Sequence, residues 1–372
     1  MIQFKRRIFL LFLFLSVAGN PVQAEDLLPG VNRPGLAWVQ DKSAAMATLS
    51  AIYEEQVPAV RIMLVKPFDR VACLIEQCNH VGVNVLLMIP LAQEDYYSKG
   101  TVPRKGIAPF YTLPPFSQLD TSLFAAKWDE ALQLFISRNL HIHAFEIANE
   151  FNTSVFNGDL PVLEGGKGIV VTNNNFHQQA FWTQYLKGML KIVAASDIIF
   201  KSIRISSPFQ KATIILGGLA RPENDWVKNV GAILIEPYLA LKTLRDSGID
   251  NSVDAYAIHI YPYVPVANWQ TPEKDIASSI DENMNRVVGF GASGKPWWIT
   301  EWGFAMQTAE FENCDKGDPR LKLFSTFTKV LATSTWRSIV EETYIYDWDE
   351  STRFRIWNDN SVLCSSFRQV FK

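Results

Sequence analysis

The feature that most constrains this chain is an alternation of short, β-rich apolar runs with amphipathic helical stretches, sustained from residue 25 to the C-terminus. Such alternation points to βα units that build a parallel sheet. The runs predicted as strands cover residues 35–39, 59–65, 84–90, 143–150, 212–219, 253–261, 297–302 and 343–348. A helical stretch follows each of them, near 43–56, 69–80, 121–138, 176–195, 237–247, 275–288, 321–335 and 363–371, with Asp69 as N-cap of the second. Eight strands and eight helices in alternation is the count of the (β/α)8 TIM barrel, an α/β fold of suitable length for a single domain. The rival, a doubly wound open sheet, carries a Gly-rich phosphate turn after its first strand, and that turn is missing here.

Residues 1–24 are set apart as a targeting segment. Lys5, Arg6 and Arg7 precede an apolar run from Ile8 to Val17, which Gly19, Asn20 and Pro21 break. Val22 and Ala24 then place small residues for cleavage after Ala24. The run is well short of the roughly 20 residues that cross a bilayer, so a cleaved signal is expected rather than an integral membrane anchor. The expectation is a secreted or periplasmic protein, monomeric, with residues 25–372 as its one catalytic domain.

Losing that segment removes three positive charges and no acids, so the formal charge goes from −3 to −6. A mildly acidic chain argues against nucleic acid as partner and suits a neutral substrate. Cys73 and Cys78 fall on one predicted helix, five residues apart and on different faces, too distant for a bridge. Cys314 and Cys364 can pair in an oxidising compartment if the fold brings them together, which spacing does not decide. No Cys/His spacing resembles a zinc site, and neither metal nor organic cofactor is expected.

Two strands carry the chemistry. In the fourth, the two-residue period puts Phe145 and Ile147 on one face and Glu146, Ala148 and Glu150 on the other. The apolar pair suits packing against helices, so the acidic set points into the barrel with Glu150 at the C-terminal end. An inward glutamate there is costly unless solvated, paired or functional. The seventh strand, Trp297-Trp298-Ile299-Thr300-Glu301-Trp302, is apolar up to the single carboxylate Glu301. Long loops after the third, fourth, sixth and seventh strands hold aromatic residues, among them Tyr96, Tyr111, Tyr263 and Trp269. In a barrel these loops frame the active face.

Phe145-Glu146-Ile147-Ala148-Asn149-Glu150, followed by Trp298-Ile299-Thr300-Glu301-Trp302-Gly303, resembles the paired strand motifs of the clan A retaining glycoside hydrolases. The fourth-strand form is similar to glycoside hydrolase families 39 and 5, and Ile215-Leu216-Gly217-Gly218 also looks like family 39. The resemblance implies Glu150 as acid/base, Glu301 as nucleophile and Asn149 as partner of the sugar 2-hydroxyl. It implies that His259 and Tyr261 form a His-x-Tyr pair whose tyrosine touches the nucleophile, although His259 also reads as a core histidine. It further implies Trp348 as the floor of the −1 subsite, with a non-proline cis peptide after it, and Arg61 as support for Glu301. The retaining reaction sets the two carboxyls roughly 5–5.5 Å apart. Phe151 departs from the proline that many relatives carry after the Asn-Glu pair.

The expected activity is hydrolysis of a β-linked poly- or oligosaccharide by double displacement, with endo action. A transglycosylase using the same two glutamates is the alternative within enzymes. A barrel that binds carbohydrate without turnover is the alternative outside them.

Overall fold

A computed structural model describes residues 27–305 apart from 40, 108–109, 164 and 223, and then 320–349, 354–358, 361–362 and 370. Residues 1–24, expected to be a signal segment, Cys314, Cys364 and all but residue 370 of the helix expected at 363–371 lie outside the described residues. Cys73 and Cys78 are free thiols.

Eight strands close into one parallel barrel: β1 (Gly30–Asn32), β2 (Ala59–Met63), β3 (Asn84–Ile89), β4 (Ala144–Ile147), β5 (Thr213–Leu219), β6 (Ala255–Ile260), β7 (Trp297–Trp302) and β8 (Val340–Ile345). Each pairs with its neighbours in sequence, and β8 pairs back to β1. The open-sheet rival is thereby excluded. Around the barrel run α1 (Lys42–Glu54), α2 (Phe68–Val81), α3 (Thr121–Ser137), α4 (Trp182–Ile205), α5 (Asn224–Val230), α6 (Pro237–Asp246), α7 (Glu273–Val287) and α8 (Leu321–Thr333). None of the described helices is long and apolar enough to cross a membrane. Local chemistry sets their ends. Asp120 caps α3 by accepting from the Ser122 and Leu123 amides at 3.0 and 3.2 Å. Asp69 lies in the first turn of α2 and the N-cap is Pro67, a correction to the expected cap.

The first strand is also corrected. The strand expected at 35–39 is not one: residues 34–38 form a 3-10 turn opened by Pro34, and β1 lies just upstream. Pro34 lacks an amide hydrogen for a sheet ladder and suits a first helical position.

Alternation along the strands sorts side chains between two layers. Outward residues such as Phe145, Ile147, Trp297 and Ile299 join the large core beneath the helices. Inward residues Ala59, Leu86, Ala144, Ile215, Ala255, Ala257, Trp298 and Tyr344 plug the lower barrel. Small and large residues complement one another in this plug. Gly30 makes room for it, because a Cβ there would lie 2.6 Å from the Tyr344 ring.

One irregularity decides what reaches the top. The β6–β7 register shifts after the Ile258–Ile299 pair, so that His259 faces Glu301 rather than Thr300. The shift inserts one residue into β7, and Thr300 and Glu301 then both turn inward. Trp302 returns to the outer layer, stacked on Phe327 of α8 at 4.0 Å.

Outside the barrel, Ile169–Val171 and Ile233–Ile235 form a small parallel ribbon. It has its own apolar cluster of Phe110, Val227, Ala232 and Leu234.

Candidate active site

The site is built upward from a buried polar layer above the Trp298–Tyr344 plug. Arg61 on β2 is 1 % exposed and lies at its centre. Its Nη1 donates to Glu301 Oε1 at 2.7 Å and to Asn32 Oδ1 at 2.9 Å, its Nη2 to Asn149 Oδ1 at 2.8 Å, and its Nε to Glu146. Glu146 also accepts from Thr300 Oγ1 at 2.8 Å and from the Gly218 amide at 3.1 Å. Asn32 donates to the Thr300 carbonyl at 2.9 Å and so ties β1 to β7. The fork of the guanidinium lets one cation hold two carboxylates and two amides in fixed positions.

Above this layer, Tyr261 Oη donates to Glu301 Oε2 at 2.6 Å. His259 Nδ1 lies 2.7 Å from Glu150 Oε1 and 3.4 Å from Glu301 Oε2. One oxygen of Glu150, one of Glu301 and a ring nitrogen of His259 all lie within 4.8 Å of one another. Three such donors could ligate a metal, but the Arg61 cation against Glu301 opposes a second positive charge there.

β5 sets how closely these parts approach. Gly218 lies under the His259 ring, where a Cβ would come within 2.0 Å of Nε2, and its carbonyl accepts from the Glu150 amide at 3.0 Å. At Gly217 a Cβ would come within 2.2 Å of the Ala148 carbonyl oxygen. Both glycines are present because backbone and ring come too near for any side chain.

β4 ends at Ile147, and Ala148 and Glu150 take positive φ values of 67° and 42°. Ala148 therefore joins the outer core instead of sharing the inward face with Glu146 and Glu150, as simple alternation predicted. This turn lets Asn149 and Glu150, adjacent in sequence, both address the barrel mouth. Phe151 is fully buried below it.

The environments of the two carboxyls separate them. Burial pushes Glu150 above the ordinary glutamate value of 4.5, against the opposing pull of its His259 hydrogen bond. Burial acts on Glu301 in the same sense, but the charges of His259 and Arg61 and the Tyr261 and Arg61 hydrogen bonds outweigh it and hold Glu301 below 4.5. Burial works against a charged His259, and the two glutamates reverse that and raise it. Burial and the Glu301 charge drive the Tyr261 phenol well above its usual range, so it stays a donor.

Of the residues expected from sequence, Glu150, Glu301, Asn149, Arg61, His259 and Tyr261 share one cluster of hydrogen bonds and ion-pair contacts. Trp348 lies three residues beyond the end of β8, its ring buried and its amide donating to the Asn32 carbonyl at 2.9 Å. The non-proline cis peptide joins Tyr346 to Asp347 and does not follow Trp348. Asn32, Glu146 and Thr300 belong to the site as well, though no strand motif marks them as members. For Glu146 the signal was present, since the alternation that turned Glu150 inward turned it inward too. His143, expected to be structural, pairs with Glu342 near the lower end of the barrel.

Solved structures share this fold. An AHE enzyme from Alicyclobacillus herbarius matches with a TM-score of 0.57 at 11 % identity, over 93 % of this chain and 97 % of that one. A family 1 β-glucosidase from Thermotoga maritima gives 0.55 at 12 % identity over 93 % and 97 %. A fungal β-1,4-galactanase gives 0.52 at 12 % identity over 92 % and 98 %. At such identities the likeness establishes the barrel alone. No family model and no curated protein matches the sequence, so the similarity to families 39 and 5 rests on the strand motifs.

Proposed function

We propose that this barrel is a retaining β-glycosidase, with Glu301 as nucleophile and Glu150 as acid/base. The observation that carries the reading is the pair itself. Two carboxyls from opposite walls, with oxygens within 4.8 Å, are held on opposite sides of the ordinary glutamate value. So close an approach of their oxygens suits direct attack by one carboxylate and is in keeping with the roughly 5–5.5 Å of a retaining pair rather than the wider gap of an inverting one. The β-glucosidase and galactanase that share the fold are in keeping with it.

In the first step ionised Glu301 attacks the anomeric carbon while protonated Glu150 gives its proton to the departing oxygen. In the second, Glu150 takes a proton from water, which displaces Glu301 and restores both groups. Arg61 and Tyr261 hold the nucleophile ionised and oriented. Because Arg61 occupies Asn149 Oδ1, the Asn149 amide nitrogen is left to donate to the sugar 2-hydroxyl. Trp348 is proposed as the floor beneath that sugar. The substrate is a neutral β-linked poly- or oligosaccharide cut internally, a reading supported by the long segments 90–120 and 148–181 that frame the mouth. The leader-like residues 1–24 make the enzyme an exported one, secreted or periplasmic.

The test is incubation of the purified protein with β-glucans, mannans, xylans and exopolysaccharide, with product sizing and the initial anomer read by NMR. Short-to-medium oligosaccharides of retained configuration are expected. Inverted products, or no turnover of any β-glycoside, would reject the reading.

Two further results are expected. The pH–rate profile is a bell whose acid limb, set by ionisation of Glu301, lies below 4.5 and whose alkaline limb, set by loss of the Glu150 proton, lies above it. A profile rising steadily with pH would contradict that division of roles. Gly218→Ala forces a methyl into the buried His259 ring and displaces Glu150, lowering kcat on the order of 10²-fold without unfolding the barrel. Kinetics alongside a thermal melt distinguish this from loss of fold.

A further inference from the structure

The turn that presents Glu150 is held from an unexpected side. Asn152, two residues further on, is fully buried, and its amide group is fully used. Its Oδ1 accepts from the Ala220 amide at 3.0 Å, and its Nδ2 donates to the Ala220 carbonyl at 2.8 Å and the Ile235 carbonyl at 2.9 Å. Its own carbonyl accepts from the Ile235 amide at 2.8 Å. Ser154 repeats the pattern one step along, its amide donating to the Ile233 carbonyl and its Oγ accepting from the Ile233 amide, both at 2.9 Å. Thr153 bridges Leu234 between them. Residues 152–154 are thus zipped to the small ribbon outside the barrel and to the end of β5. Glu150 itself sits at φ 42° and is anchored to the barrel by its amide bond to the Gly218 carbonyl. A non-glycine residue at such a φ persists only where its surroundings over-determine it.

We propose that Asn152 is a positioning residue for Glu150, and that the ribbon formed by residues 169–171 and 233–235 serves to hold the acid/base in place. The proposal rests on Glu150 being the acid/base. It distinguishes the two glutamates, because Glu301 is set by Arg61, Tyr261 and the β7 bulge and has no contact with the ribbon among its hydrogen bonds. Disturbing Asn152 should therefore weaken proton donation and leave nucleophilic attack intact.

The test compares two β-glycosides of the sugar that the wild-type protein turns over best, one with a dinitrophenyl and one with an alkyl leaving group. The first departs without a proton and the second does not. In Asn152→Ala, kcat/KM for the alkyl glycoside is expected to fall about tenfold or more, while kcat/KM for the dinitrophenyl glycoside stays within about threefold. Its kcat on the dinitrophenyl substrate should also fall, because water needs the Glu150 base, and added azide should restore it. Ser154→Ala should show the same pattern more weakly. Any unfolded fraction lowers both kcat/KM values equally, so their ratio reports positioning alone. Equal loss on both substrates, or no loss on either, overturns the proposal. Wild-type protein that cleaves neither glycoside would instead reject the glycosidase reading beneath it.

Discussion

Glu301→Ala is expected to lower turnover of an activated aryl β-glycoside by roughly 10⁵-fold, the scale on which a covalent nucleophile contributes. The fold should survive. Removing Glu301 leaves Arg61 still bonded to Glu146, Asn32 and Asn149, so no buried cation is stranded. Thermal melting and near-UV circular dichroism should resemble the wild type. A 2-fluoro glycoside should add its sugar mass to the wild-type protein and not to the variant. Activity within tenfold of wild type would remove Glu301 from the mechanism. A carbohydrate-binding barrel without turnover would show the same affinity in both proteins and no hydrolysis in either.

Arg61→Ala is expected to be the most damaging change to stability, at about 3–5 kcal/mol, because it leaves Glu146 and Glu301 together in a buried layer without their cation. Denaturant melts would measure it. The same variant should shift the acid limb of the pH–rate profile upward, since Arg61 helps hold Glu301 ionised. Arg61→Lys restores a charge but not the fork that reaches four partners at once, so it should recover part of the stability and little of the rate. Destabilisation below about 1 kcal/mol would mean that water replaces the guanidinium and that the polar layer is not closed.

The barrel was legible because seven of its strands are apolar enough, and evenly enough spaced, for their period to show. β1 was not, being three residues long with polar Asn32 at its end, while the neighbouring Leu36 and Ala37 are buried without being a strand. Period placed Glu146 correctly on the inner face, while Arg61 and His259 were singled out by the motif resemblance and are found there too. It could not place Glu301, which strict alternation from inward Trp298 turns outward, and which faces the mouth only through the inserted residue in β7. Nor could it turn Asn149 and Glu150 the same way, since that needs two left-handed residues in a sequence with no glycine there. Both departures concern the ends of the strands that carry the carboxyls, where local rules most often yield to the needs of a site. The Asn152 contacts were hidden for another reason. They join segments 68 and 83 residues apart through a ribbon whose strands are only three residues each.

The two carboxyls are consequently mounted on parts of different kinds. One belongs to the wall, where every neighbouring strand resists change. The other lies just beyond the end of a wall strand and is proposed to be braced from outside by an appendage of loop segments, which can lengthen, shorten or be exchanged while the eight staves stay put. Under the proposed roles, a descendant of this chain could retune which leaving groups it tolerates by editing that appendage, with little consequence for Glu301.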